Sequence, residues 1–130
     1  MLRKTVTLAV CFLITGSVAS AQVQREKVAD KKFWAVNTLL VSSTVYDTRS
    51  TYFALEKCKN CREANPLMRP FVKAGEPWLY VVQGFINTGV IYASYKMKEK
   101  DHKLWYVLPV ALTIAHTIAG THNIRIAIKF

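Results

Sequence analysis

The chain is expected to be all-α: a small transmembrane helical bundle of about three spans that follows an N-terminal signal peptide. Three observations carry this. Residues 78–97 and 104–120 are two mostly apolar runs edged by aromatics and lysines. At a rise of roughly 1.5 Å per residue they would reach ~30 and ~26 Å, about the depth of a bilayer's hydrocarbon core. Residues 1–21 have the layout of an export signal, and the 52% apolar content of the 130 residues is gathered in blocks, not spread at amphipathic spacing. That length allows one domain and is too small for a large enzyme core.

In chain order, Arg3 and Lys4 precede an apolar stretch over 6–14 and then Ala19-Ser20-Ala21, the basic, apolar and small-x-small parts of a secretory signal peptide. An uncleaved anchor helix is the alternative reading. Residues 22–32 are polar and mixed in charge, a solvated lead-in, and 33–130 form the helical membrane domain, with spans at about 33–55, 78–97 and 104–120. The first span is compromised by polar residues. At 3.6 residues per turn, Thr44, Asp47, Thr48 and Thr51 share one face, while Leu39, Val41, Val45, Tyr52 and Phe53 cover much of the remainder. Such a helix crosses a bilayer only if other helices cover its polar face. Asn65-Pro66 predicts the start of a short interfacial helix over about 67–73, with Asn as cap and Pro where its missing N–H costs nothing. Gly75-Glu76-Pro77 restarts the chain in the same way. In the second span Gly84 and Thr88, with Gly89 beside them, predict close helix contact, and Gln83, Asn87 and Ser94 form a neighbouring polar stripe. The tail 124–130 alternates apolar and polar like a barrel strand, but the long non-alternating runs reject a barrel.

A formal charge of +10 needs a counter-charge, and the basic residues stand between the apolar blocks, where anionic lipid headgroups would meet them. No basic helix or aromatic-interleaved sheet pattern points to nucleic acid. A bilayer is therefore the expected partner, with a membrane protein or a second copy as a further one. Multi-pass insertion in a bacterial inner membrane is the expected location. A cleaved signal would place residues 56–76 on the cytoplasmic side. The opposite orientation would put the lysine-rich 96–103 link inside and the cysteines in an oxidising compartment.

Ionisable side chains at membrane depth need partners, because an unpaired charge there costs at least ~2.5 kcal/mol. Asp47 is the clearest case. Arg49, two positions on, points elsewhere and is expected to snorkel to an interface, whereas His116 on the last span is placed to face Asp47. Thr51, Glu63, Asn65 and Asn123 complete a candidate polar cluster, with Glu63 reaching in from the loop. Such a cluster either hydrogen-bonds the bundle together, binds an ion, metal or other ligand, or relays protons. Within residues 33–130 no pair of His or carboxylate residues has the i,i+4 spacing of a helical metal site. Cys58-Lys59-Asn60-Cys61 is a local disulfide, a pair of free thiols or a redox pair. No βαβ pattern, haem-type histidine or second cysteine pair accompanies it.

Asp47-x-x-x-Thr51, then Leu55, then Glu63-Ala-Asn-Pro-Leu67, followed by apolar spans, resembles small uncharacterised bacterial membrane proteins of the DUF5658 type. That resemblance implies a compact helical membrane domain and supplies no reaction or cofactor. The expected role is non-catalytic, a structural protein or partner subunit. The alternatives are an ion- or metal-binding, transport or catalytic protein using Asp47, Glu63 and His116, or a thiol-redox protein using Cys58 and Cys61.

Overall fold

The computed structural model describes residues 28–58 and 60–129. The expected signal peptide, and the polar lead-in as far as residue 27, lie outside the described residues. The described residues are helical with short links: α1 is Lys31–Lys57, α2 is Arg69–Ala74, α3 is Glu76–Glu99 and α4 is Val107–Lys129.

Each boundary has a local cause. Asp30 caps α1 by accepting the Phe33 N–H at 2.9 Å, which satisfies one of the orphan donors of a helix start. At the other end the Cys58 N–H reaches the Ala54 carbonyl. Asn65 does cap a turn, its Oδ1 accepting the Leu67 N–H at 3.0 Å. Helix α2 nevertheless begins only at Arg69, later than expected, because two backbone N–H groups, those of Met68 and Arg69, first close on the Asn65 carbonyl. Gly75 separates α2 from α3 at φ 112°, a backbone region open to glycine, and Pro77 follows in the first turn of α3. The 124–129 tail continues α4 as helix.

The helices run up, down and up. Thr44 meets Asn87, Arg49 meets Glu76 and Asp30 meets Lys98, so α3 is antiparallel to α1. Phe33 lies against Trp105, Asp47 against His116 and Thr51 against Asn123, so α4 runs parallel to α1. The α1–α4 pair is the principal interface, and α2 packs on α3.

The close approach of helices lies elsewhere than the sequence suggested. A Cβ built on Gly84 or Gly89 would meet nothing within 4 Å, and both residues are exposed. Gly120 is the buried one: a Cβ there would stand 2.5 Å from Tyr46 Cε1 and 3.2 Å from Asp47 Cα, so α1 and α4 approach at a distance only glycine allows. Arg49 points away from Asp47 and pairs with Glu76 at 2.7 Å at the surface.

Polarity is inverted relative to a typical small domain. Leu40, Phe33, Leu79, Ala54 and Ala127 are buried, but so are Asn37, Ser43, Thr44, Thr48, Ser50, Thr51, Gln83, Asn87 and Ser94. Large apolar side chains face outward, among them Leu39, Phe85, Tyr92, Ile114 and Ile118. Among the described residues no helix is long and apolar enough to cross a membrane.

Candidate functional site

The inward hydroxyls of α1 are mostly satisfied within their own helix. Ser43 and Thr44 both donate to the Leu40 carbonyl at 2.9 Å, and Ser50 and Thr51 donate to the Asp47 carbonyl at 2.8 and 2.9 Å. Thr48 breaks the pattern. It is only 2% exposed, yet its Oγ1 has no partner among the described residues. A buried hydroxyl without a hydrogen bond costs ~1–3 kcal/mol by mutational comparisons.

Asp47 projects from the same stretch towards α4. Its Oδ2 is 2.7 Å from His116 Nδ1, and its Oδ1 accepts from Asn123 Nδ2 at 3.3 Å. A carboxylate can only accept, so with Asp47 ionised the shared hydrogen sits on the imidazole Nδ1. The Asp47 and His116 side chains are 17% and 15% exposed, which makes the pair far drier than the surface pair Arg49–Glu76. Asn123 also donates to Thr51 Oγ1 at 2.9 Å, so one amide ties two α1 side chains to α4. Asp47, Thr51, His116 and Asn123 thus form one connected network across the α1–α4 interface. The spacing of His116 and Asn123, seven residues apart on one helix face, places both against the polar face of α1.

Above this network lies a cavity of about 290 Å³. Asp47, Thr51, Glu63, Asn65, His116 and Asn123 all line it, together with Thr48, Gln83, Met68 and His122. The loop after α1 brings Glu63 and Asn65 over it. That loop is held by its own hydrogen bonds: the Asn65 N–H donates to Glu63 Oε1 at 2.9 Å, and the Arg69 guanidinium donates to the Glu63 carbonyl at 2.7 Å. Cys58 and Cys61 are joined by a disulfide at its start, with Cα atoms 5.3 Å apart, and Cys61 lines a separate cavity of about 320 Å³ behind Glu63.

A family model described as a domain of unknown function, DUF5658, matches residues 38–129, which include the whole network and the loop above it. The chain belongs to the DUF5658 family. Neither a curated protein nor a solved structure matches it. Among the described residues of this DUF5658 chain, no three His, Cys, Asp or Glu side chains are grouped so as to hold a metal ion. The cavity instead joins two carboxylates, two imidazoles, three amides and two threonine hydroxyls to an apolar lining of Ala64, Met68, Leu79 and Ala119, with no lysine or arginine among the described residues.

His122, Gln83 and Thr48 are the polar cavity residues that the sequence did not assign to the cluster, although Thr48 shares the face of Asp47 and Thr51. Gln83 shares a stripe with Asn87 and Ser94, and that stripe was its signal. His122 stands six residues from His116, off the shared helix face. Its place at the cavity follows from the path of the overlying loop.

At the opposite end of the bundle, Lys98 pairs with Asp30 and stands 4.7 Å from the Trp105 ring centroid and 5.7 Å from that of Phe33. This cation–aromatic cluster joins the beginnings of α1 and α4 to the end of α3. The Lys98 ammonium, followed by the Phe33 N–H, holds the Asp30 carboxyl below its ordinary value of 3.8.

Proposed function

We propose that this DUF5658 chain is a small multi-pass protein of a bacterial inner membrane, a non-catalytic structural protein or partner subunit whose α1–α4 network locks the bundle. One observation carries the reading: the outside is apolar where the inside is polar. In water, exposed large apolar side chains and buried polar ones are each unfavourable. In a bilayer the same arrangement is the favourable one, since lipid takes the apolar faces and the polar residues pair inside the bundle.

The hydropathy of α1 and α3 fits this account. Among the residues that lower it, Asn37, Ser43, Thr44 and Thr48 on α1 and Gln83, Asn87 and Ser94 on α3 point inward. An average over a whole helix therefore mixes a lipid-facing surface with a protein-facing one. Exposed Trp34 and Tyr106 stand at one end of the bundle and exposed Trp78 at the other. Over Trp34 to Phe53 the α-helical rise amounts to ~28 Å, close to the ~30 Å of a hydrocarbon core. Trp and Tyr rings favour the two boundaries of such a layer, and the lysines of 96–103 supply charge for anionic headgroups.

The test is extraction. The full chain, expressed in a bacterium, is expected to stay in the membrane pellet after carbonate at high pH and to need detergent for release. A monodisperse protein recovered from the soluble fraction without detergent would overturn the membrane reading.

A further inference from the structure

The cavity above the Asp47 network has a chemistry that the lock does not require. We propose that it binds a small organic cation carrying ammonium or guanidinium N–H donors. This goes beyond the membrane reading and does not depend on it, because the cavity is formed by the chain's own fold.

Four features converge. Asp47 and Glu63 both line the cavity and, among the described residues, no lysine or arginine does, in a chain of formal charge +10. Asp47 already accepts from His116 and Asn123, but a carboxylate has about four lone-pair sites, so it retains capacity for further donors. Thr48, buried and lining the same cavity, carries a hydroxyl oxygen with no partner among the described residues, although its helix neighbours Thr44 and Thr51 both bond back to their own backbone. That orphan oxygen is an independent sign that something other than protein completes the site. Finally, the cavity's size argues for a molecule in place of a bare ion: at about 290 Å³ it is near the lower end of small-molecule pockets. The absence of a three-ligand His, Cys, Asp or Glu group among the described residues points the same way. N–H donors spread over an ammonium or guanidinium group match scattered carboxylate, amide and hydroxyl acceptors such as those of Asn65 and Gln83.

The full chain, purified in detergent or in plain buffer if it proves soluble there, is titrated with 1,4-diaminobutane and with agmatine. Thermal unfolding and calorimetry are the readouts. One of the two probes is expected to raise Tm saturably, where sodium chloride at equal ionic strength does not. Glu63→Gln lies on the loop, outside the α1–α4 network, and is expected to leave the ligand-free Tm nearly unchanged while weakening binding about tenfold or more, as befits loss of a charge-assisted hydrogen bond. Thr48→Val is expected to raise the ligand-free Tm and to weaken binding, a combination that a merely structural hydroxyl would not produce. The proposal is overturned if neither probe gives a saturable shift, if sodium chloride reproduces it, or if Glu63→Gln binds as tightly as the native chain. Soluble behaviour alone would sink the membrane reading and leave this one standing.

Discussion

The Asp47–His116 contact offers the most direct check on how the bundle is held. The proposed experiment is a double-mutant cycle of Asp47→Ala, His116→Ala and the pair together. The native contact is 2.7 Å and both side chains are largely buried, so it belongs among the stronger, charge-assisted bonds, for which ~1.5–3 kcal/mol is usual in water-soluble proteins. Hydrogen bonds between helices in a membrane average only ~0.6 kcal/mol and reach ~1.7. On the proposed membrane reading a short bond to a carboxylate falls at the top of the second range, which meets the bottom of the first, so the expected coupling is ~1.5 kcal/mol. His116→Ala alone should be worse than that figure, since it leaves Asp47 with only the long Asn123 contact at 3.3 Å. The double variant should be less destabilised than the sum of the singles. Reversible unfolding of the purified chain gives the free energies, and the amount of folded protein in cells gives an independent readout. A coupling below about 0.5 kcal/mol would refute the claim that this pair locks α1 to α4.

Three further outcomes are expected. Gly120→Ala should destabilise by ~1–3 kcal/mol, because a new Cβ forces Tyr46 and the Asp47 backbone aside, whereas Gly84→Ala and Gly89→Ala should be neutral or slightly stabilising; equal effects in unfolding experiments would contradict the packing described. The Asp30–Lys98 contact should respond to acid in one direction: the lowered folded pKa of Asp30 gives stability that is present above the ordinary value of 3.8 and is lost as pH falls through the folded value. Asp30→Asn should flatten that acid limb of a Tm-versus-pH curve, and an unchanged limb would show that Asp30 makes no such contribution. Cys58 and Cys61 should take up a maleimide only after reduction, read by peptide mass so that Cys11 is counted apart, and labelling of either one without reductant would rule out the bond.

The sequence made the α1 face legible because helical periodicity is strict. Thr44, Thr48 and Thr51 could share a face only if they pointed inward together, and all three are buried. His116 followed from a physical demand, since Asp47 needed a partner and few side chains on other helices could supply one. The glycines were not legible. Gly84 with Thr88 has the spacing of a packing motif, yet which glycine meets a neighbour depends on the rotation of α3 in the bundle, and no local signal encodes that rotation. The orphaned Thr48 hydroxyl was equally hidden, because its sequence context differs little from that of Thr44. The late start of α2 arose from competition between two ways of closing on the Asn65 carbonyl, a difference too small for propensity to decide.

The parallel pairing of α1 with α4 also sets the order in which the molecule can assemble. The bonds that join them link residues 69 to 76 positions apart, so nothing of that interface exists while the ribosome has delivered only α1 and α3. Until α4 emerges, Asp47 has neither His116 nor Asn123 to receive it, and α3 alone covers α1 through contacts such as Thr44 with Asn87. Such long-range closure is slow compared with helix formation. The nascent chain therefore passes through a stage in which a helix bearing an uncompensated carboxylate waits for its partner, and a chain cut short before residue 116 should be recognised as misfolded and degraded.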